Sequence, residues 1–122
     1  NFQLVKYLVF NIFKCEMDKR KEIINKVRQL SQKKFPKAEI YLFGSQARGE
    51  ANSFSDWDIL VLLNEEHIPF SLETKIMDDF YDLELETGEV ISPIIYSKTE
   101  CNDKYYCTPL YESINKECVR LK

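Results

Sequence analysis

Asp56 and Asp58 stand two residues apart at the mouth of an apolar run that continues Ile59-Leu60-Val61-Leu62-Leu63. In a strand this spacing puts both carboxylates on one face and turns Trp57 to the other, toward a core. Two anions a few ångströms apart repel unless a cation lies between them. Oxygen-only ligands favour Mg2+ or Mn2+ over zinc, so the pair reads as a divalent-metal site. Upstream, a shorter apolar run ends at Phe43 and gives way to Gly44-Ser45, where glycine permits a backbone approach that any side chain would block.

If that turn faces the carboxylates across a cleft, its backbone N–H groups and the Ser45 hydroxyl form a phosphate cradle. Metal on the opposite side completes a clamp for a triphosphate. The chemistry suited to it is attack of a hydroxyl on the α-phosphorus of a nucleoside triphosphate, with pyrophosphate leaving. Such a site works by positioning and charge neutralisation. Arg48 reads equally as a phosphate or acceptor contact and as a helix residue bridging to Glu50 or Asp56. Ser55 reads first as a residue that caps or orients the turn.

The stretch Gly44, Ser45, Ala47, Arg48, Gly49, Ala51, Ser55, Asp56 and Asp58, entering an apolar strand, resembles the DNA polymerase β-like nucleotidyltransferase superfamily. Its small members are the minimal nucleotidyltransferases, and the similarity extends more loosely over Lys19 to Lys122. The resemblance implies that Gly44 and Ser45 hold the β and γ phosphates and that Asp56 and Asp58 bind Mg2+ or Mn2+. It implies a nucleoside triphosphate, ATP first, as donor of the nucleotide. It also implies a partner, because small members are frequently antitoxins that adenylylate a tyrosine of an all-helical HEPN toxin. Family members usually add a third carboxylate from the next strand, but Val90-Ile91-Ser92-Pro93-Ile94-Ile95-Tyr96 has none. Glu89 at the mouth of that strand is the candidate for the role, with Glu86 just before it.

That departure keeps a second class of reading open: a nucleotidyltransferase scaffold that neutralises its partner by contact alone. A third, nucleotidylation of a small molecule such as an aminoglycoside, lacks a second domain to shape the acceptor pocket. A homodimer is a further expectation.

The elements that must position these residues fit one domain of 122 residues, with residues 1–16 set apart as an extension and 17–122 as the nucleotidyltransferase domain. Asp18 is the expected N-cap of an amphipathic helix carrying Ile23, Ile24, Val27 and Leu30, its lysines and arginines forming a solvated face. Ala38–Phe43 and Trp57–Leu63 read as strands, the second apolar on both faces and hence central. A helix turn is expected over 44–51. Ser71 is expected to cap a helix ending at Thr87 before Gly88. Val90–Tyr96 reads as a strand that Pro93 demotes toward an edge or a bulge, and 109–119 as a last helix. The fold class is α/β (α+β), a small mixed sheet flanked by helices.

A hydrophobic fraction of 44% argues against disorder, and a formal charge of −3 gives no broad basic surface for duplex nucleic acid. Cys15, Cys101, Cys107 and Cys118 have neither CxxC spacing nor a histidine partner, so free thiols in a cytoplasmic protein are expected rather than zinc or disulfides. No apolar run is long enough for a bilayer. The apolar opening, Asn1 to Cys15, precedes Met17-Asp18-Lys19-Arg20, which itself looks like a protein start. The opening reads as a vector-derived or upstream extension or a docking element, in preference to part of a trimmed signal sequence, because the small-residue cleavage pattern is missing. Lone His67 reads as a solvated loop residue. Tyr105, Tyr106, Tyr111, Phe54 and Phe70 are candidates for stacking on a base, and the sequence selects none.

Overall fold

A computed structural model describes residues 1–44, 47, 56–103 and 118–122. The order is α1 (Phe2–Lys34), β1 (Glu39–Phe43), β2 (Trp57–Leu63), α2 (Phe70–Thr87), β3 (Ile91–Ser97), α3 (Lys98–Asp103) and β4 (Val119–Arg120). The four strands form one mixed sheet ordered β3-β2-β1-β4. β2 is an inner strand, which is why its residues are apolar on both faces. β3 is an edge strand, where the N–H that Pro93 lacks is tolerated. β2 and β3 run parallel, a pairing that needs a crossover element, here α2.

One face of the sheet packs against both long helices. Ile40, Leu42, Ile59 and Val61 meet Ile23 and Val27 of α1 and Ile76 and Phe80 of α2 in the main core. Trp57 belongs to this core at 4% exposure, on the side the alternation assigned to it. The opposite face carries Phe43 and Leu60, with Tyr41, Leu62, Ile94 and Tyr96 packed against them. Strand alternation gives this second face to Asp58 and Ser92 as well.

α1 and α2 lie side by side and antiparallel. Lys19 Nζ is 2.5 Å from Glu89, Lys26 Nζ is 3.1 Å from Glu86, and the Phe35 and Phe80 rings are 5.8 Å apart. The basic face of α1 is thus partly a fastening rather than only a solvated surface. Arg28 Nε also donates to the Leu121 carbonyl at 2.8 Å. The Glu86 carboxylate beside it holds the Lys26 ammonium above its ordinary value. At the other end of the sheet, Glu39 accepts from Lys98 at 2.8 Å and from the Tyr41 hydroxyl at 3.1 Å.

Three expectations need correction. α1 is capped by Asn1, whose side chain accepts from the Gln3 N–H at 3.0 Å, and runs unbroken past Asp18. Apolar residues at helical spacing on both sides of Asp18 let the helix propagate through it, so a good capping residue did not mark an end. α2 begins at Phe70 with Pro69 at its N-cap, two residues before the expected cap Ser71, and no side chain caps it. Val119 pairs with Leu42 in β4 rather than ending a helix, because the edge of β1 offers its backbone a ladder. The rest of the expected helix over 109–119 lies outside the described residues except Cys118, which is a free thiol. The helix turn expected over 44–51 is described only at Gly44 and at helical Ala47.

Candidate active site

β1 delivers Gly44 and β2 delivers Asp58 to the same end of the sheet, because Phe43 pairs with Asp58 across the antiparallel ladder. Gly44 adopts φ +74°, a left-handed conformation that carries the chain sharply off the strand. Its carbonyl accepts from the Ala47 N–H at 3.1 Å, closing the first turn after β1. A Cβ built on Gly44 would run into the Asp58 carboxylate, lying 3.2 Å from its Cγ and 3.5 Å from its Cβ. The glycine of the turn and the inner carboxylate are therefore in direct contact. Side-chain bulk at residue 44 would displace the Asp58 carboxylate.

Asp56 is exposed and precedes the strand; Asp58 is half-buried within it. The Trp57 N–H between them donates to the Val90 carbonyl at 2.8 Å. That bond and the buried Trp57 ring fix the backbone from which both carboxylates project. The donor set of this pair is all oxygen, of a kind that suits a hard divalent cation. A bound cation would neutralise triphosphate charge here. Among the described residues no group of three or more His, Cys, Asp or Glu side chains could hold a metal.

In the parallel ladder Ser92 stands opposite Asp58, so the residue that β3 sets beside Asp58 carries a hydroxyl and not a carboxylate. Glu89 is half-buried and ion-paired with Lys19 of α1 at 2.5 Å, on the helix side of the sheet. Its N–H is bound to the Thr87 hydroxyl at 3.3 Å. Ser45, Arg48 and Ser55 lie outside the described residues, as do Phe54, Tyr105, Tyr106 and Tyr111. Phe70 opens α2 and is 83% exposed. His67 is exposed, 3.9 Å from Glu100.

A nucleotidyltransferase domain model matches residues 20–120. The chain belongs to the nucleotidyltransferase domain family. The domain spans everything from the middle of α1 through β4, so Gly44, Asp56 and Asp58 all lie inside it. Among solved structures, this nucleotidyltransferase is similar to a toxin-antitoxin crystallised with AMP-PNP. The TM-score is 0.61 at 22% identity, over 81% of this chain and 72% of that one. Two mutant forms of the toxin-antitoxin MntA-HpeT are similar as well. One has a TM-score of 0.58 at 22% identity over 80% and 70% of the chains, the other 0.61 at 20% over 81% and 72%. At these identities the likeness is one of fold. No protein of curated function matches the chain. No helix among the described residues is long and apolar enough to cross a membrane.

Proposed function

We propose that the chain transfers AMP from ATP to a hydroxyl of a partner protein, with pyrophosphate as the other product. The observation that carries this reading is the contact between Gly44 and the Asp58 carboxylate, which sets the turn we assign to phosphate against the strand we assign to metal. Asp56 and Asp58 are the metal carboxylates, with Mg2+ or Mn2+ as the ion. Gly44 and Ser45 take the β and γ phosphates, with Arg48 and Ser55 beside them. The acceptor oxygen forms a bond to the α-phosphorus. The bond from that phosphorus to the α–β bridging oxygen breaks, and its electron pair leaves with pyrophosphate. The acceptor proton passes to a base; Glu89 is the candidate at the mouth of β3, and to serve it would have to leave its pairing with Lys19 on the helix side of the sheet.

AMP-PNP in a structure of similar fold supports adenine as the base. Toxin-antitoxin pairs of similar fold support a protein acceptor, and we take it to be a tyrosine of a helical HEPN-type toxin in the cytoplasm. In the test, ATP labelled on the α-phosphorus is added to the chain with such a toxin and Mg2+. Label on the toxin from α-labelled but not γ-labelled ATP is expected, and transfer of the γ label would contradict the reading.

Ser92 opposite Asp58 favours one alternative, a catalytically silent domain that neutralises its partner by contact. A chain with both Asp56→Asn and Asp58→Asn separates the two. Catalysis predicts that this double variant binds the toxin yet no longer neutralises it, whereas neutralisation by contact predicts no change.

A further inference from the structure

Each of the three residues that lead into β3 is held by a hydrogen bond. The Glu89 N–H donates to the Thr87 hydroxyl at 3.3 Å, the Val90 carbonyl accepts from the Trp57 N–H at 2.8 Å, and the Ile91 N–H donates to the Glu84 carboxylate at 2.9 Å. The middle bond belongs to the candidate site, because Trp57 stands between Asp56 and Asp58. The outer two come from the last turn of α2, where Gly88 at φ +73° ends the helix and turns the chain toward the sheet.

The bond from Glu84 is one that the sheet does not supply. Along a strand, successive residues turn their N–H and C=O groups alternately to the two sides. The Val90 carbonyl faces β2, so Ile91 turns its N–H to the outer edge of β3, where the sheet has no further strand among the described residues. Glu84 lies four residues after Phe80 and one after Leu83, both in the core, so its half-buried side chain leaves α2 toward the sheet. On the outer side of the same turn Tyr81 and Leu85 are exposed. A backbone N–H bonded to a carboxylate is held roughly twice as strongly as in a neutral pair. The Glu84 bond therefore outweighs the longer one to the Thr87 hydroxyl. Its loss would strand a donor on Ile91, which is buried.

We propose that Glu84 is a positioning residue of the metal site. By fixing Ile91 it fixes the Val90 carbonyl, and through the Trp57 N–H the backbone from which Asp56 and Asp58 project. Glu84 acts through that backbone and not by contact with metal or nucleotide. The inference rests on the proposed function for what the two carboxylates hold. It gives β3, which sets only Ser92 beside Asp58, a part in the site through its backbone.

The test compares Glu84→Ala, Glu84→Gln and Glu39→Gln with the wild type. Glu84→Gln keeps a side-chain oxygen at the same reach. Glu39→Gln weakens the fold at the far end of the sheet, where Glu39 pairs with Leu62. Hydrogen exchange at the Trp57 backbone N–H reads the bond to Val90 without metal or nucleotide. Relative to the amides farther along β2, it should quicken about ten-fold or more in Glu84→Ala and much less in the other two. Partners that orient metal ligands from outside are worth about 10–100-fold in metal affinity. Mn2+ affinity, from the free-ion signal in electron paramagnetic resonance, should thus fall about ten-fold in Glu84→Ala and stay near wild type in Glu84→Gln and Glu39→Gln. Unchanged Trp57 exchange or wild-type Mn2+ affinity in Glu84→Ala, with a lower Tm as its only effect, overturns the proposal and leaves Glu84 as an acceptor for a strand edge. Equal loss of Mn2+ affinity in Glu84→Gln and Glu84→Ala overturns it in favour of the carboxylate charge itself. Failure of this inference leaves Mn2+ binding by the wild type intact, whereas failure of the proposed function removes it.

Discussion

Gly44 and Gly88 share a backbone conformation, φ +74° and +73°, but not an environment. A Cβ at Gly88 meets nothing within 4 Å, whereas one at Gly44 meets the Asp58 carboxylate. Gly88→Ala therefore isolates the cost of a side chain in left-handed backbone, about 1–2 kcal/mol. For a domain of this size that is a fall in Tm of roughly 3–10 °C. Gly44→Ala carries the same strain and must also push the Asp58 carboxylate aside by about 1 Å, a misplacement that costs about 100-fold at a reacting centre. In energy that second effect is about 2.7 kcal/mol, paired with a stability loss similar to that of Gly88→Ala. The assay joins thermal unfolding with Mg-ATP titration for both variants and the wild type. The expected pattern is two similar falls in Tm and one selective loss of nucleotide binding, at Gly44→Ala. Equal nucleotide binding by the two variants would refute the argument that Gly44 makes room for the Asp58 carboxylate at a nucleotide site.

Other consequences can be read from single side chains. Ser92→Asp sets a third carboxylate opposite Asp58 and should tighten Mn2+ binding, measured by loss of the free-ion signal in electron paramagnetic resonance. Without metal the same variant should be about 1 kcal/mol less stable, because like charges then face each other across adjacent strands. Glu89→Gln removes the partner of Lys19 and should cost under about 1 kcal/mol in urea unfolding while leaving metal binding intact. A fall in transfer rate without a fall in nucleotide affinity would mark Glu89 as the base. The Lys98 ammonium, with help from the Tyr41 hydroxyl, holds the Glu39 carboxyl below its ordinary 4.5. A lowered carboxylate stabilises the fold above that ordinary value and loses the contribution as pH falls through the folded value. Glu39→Gln should thus be less stable than wild type at neutral pH, with the gap closing in acid below 4.5, followed by urea unfolding across pH.

Much of the site's frame was legible in the sequence because it rests on strand alternation. Asp58 inside an apolar run forces Trp57 to the core, and that geometry is observed. Gly44 could be singled out as a close-approach residue, but its neighbour could not be named, since the contact with Asp58 depends on the register between β1 and β2. The same holds for Ser92. Its lack of charge was visible, whereas its place opposite Asp58 follows only from the parallel ladder. α1 misled because capping chemistry at Asp18 is a local signal, and the apolar periodicity on both sides outweighs it. β4 carries almost no sequence signal: two residues held by the edge of β1 and by Leu121 buried beneath them are set by tertiary contact alone. The ties from α1 to Glu86, Glu89 and Leu121 were likewise hidden, because charge pairs between distant segments leave no period to read.

The central claim, that Asp58 beside Gly44 forms a metal-dependent nucleotide site, is tested most directly by titration calorimetry of ATP into the wild type and into Asp58→Asn, each with and without Mg2+. The account predicts binding to the wild type that requires Mg2+ and disappears in Asp58→Asn, while both proteins unfold cooperatively. Binding of ATP by Asp58→Asn with wild-type affinity, or no binding to the wild type with either Mg2+ or Mn2+, would contradict it.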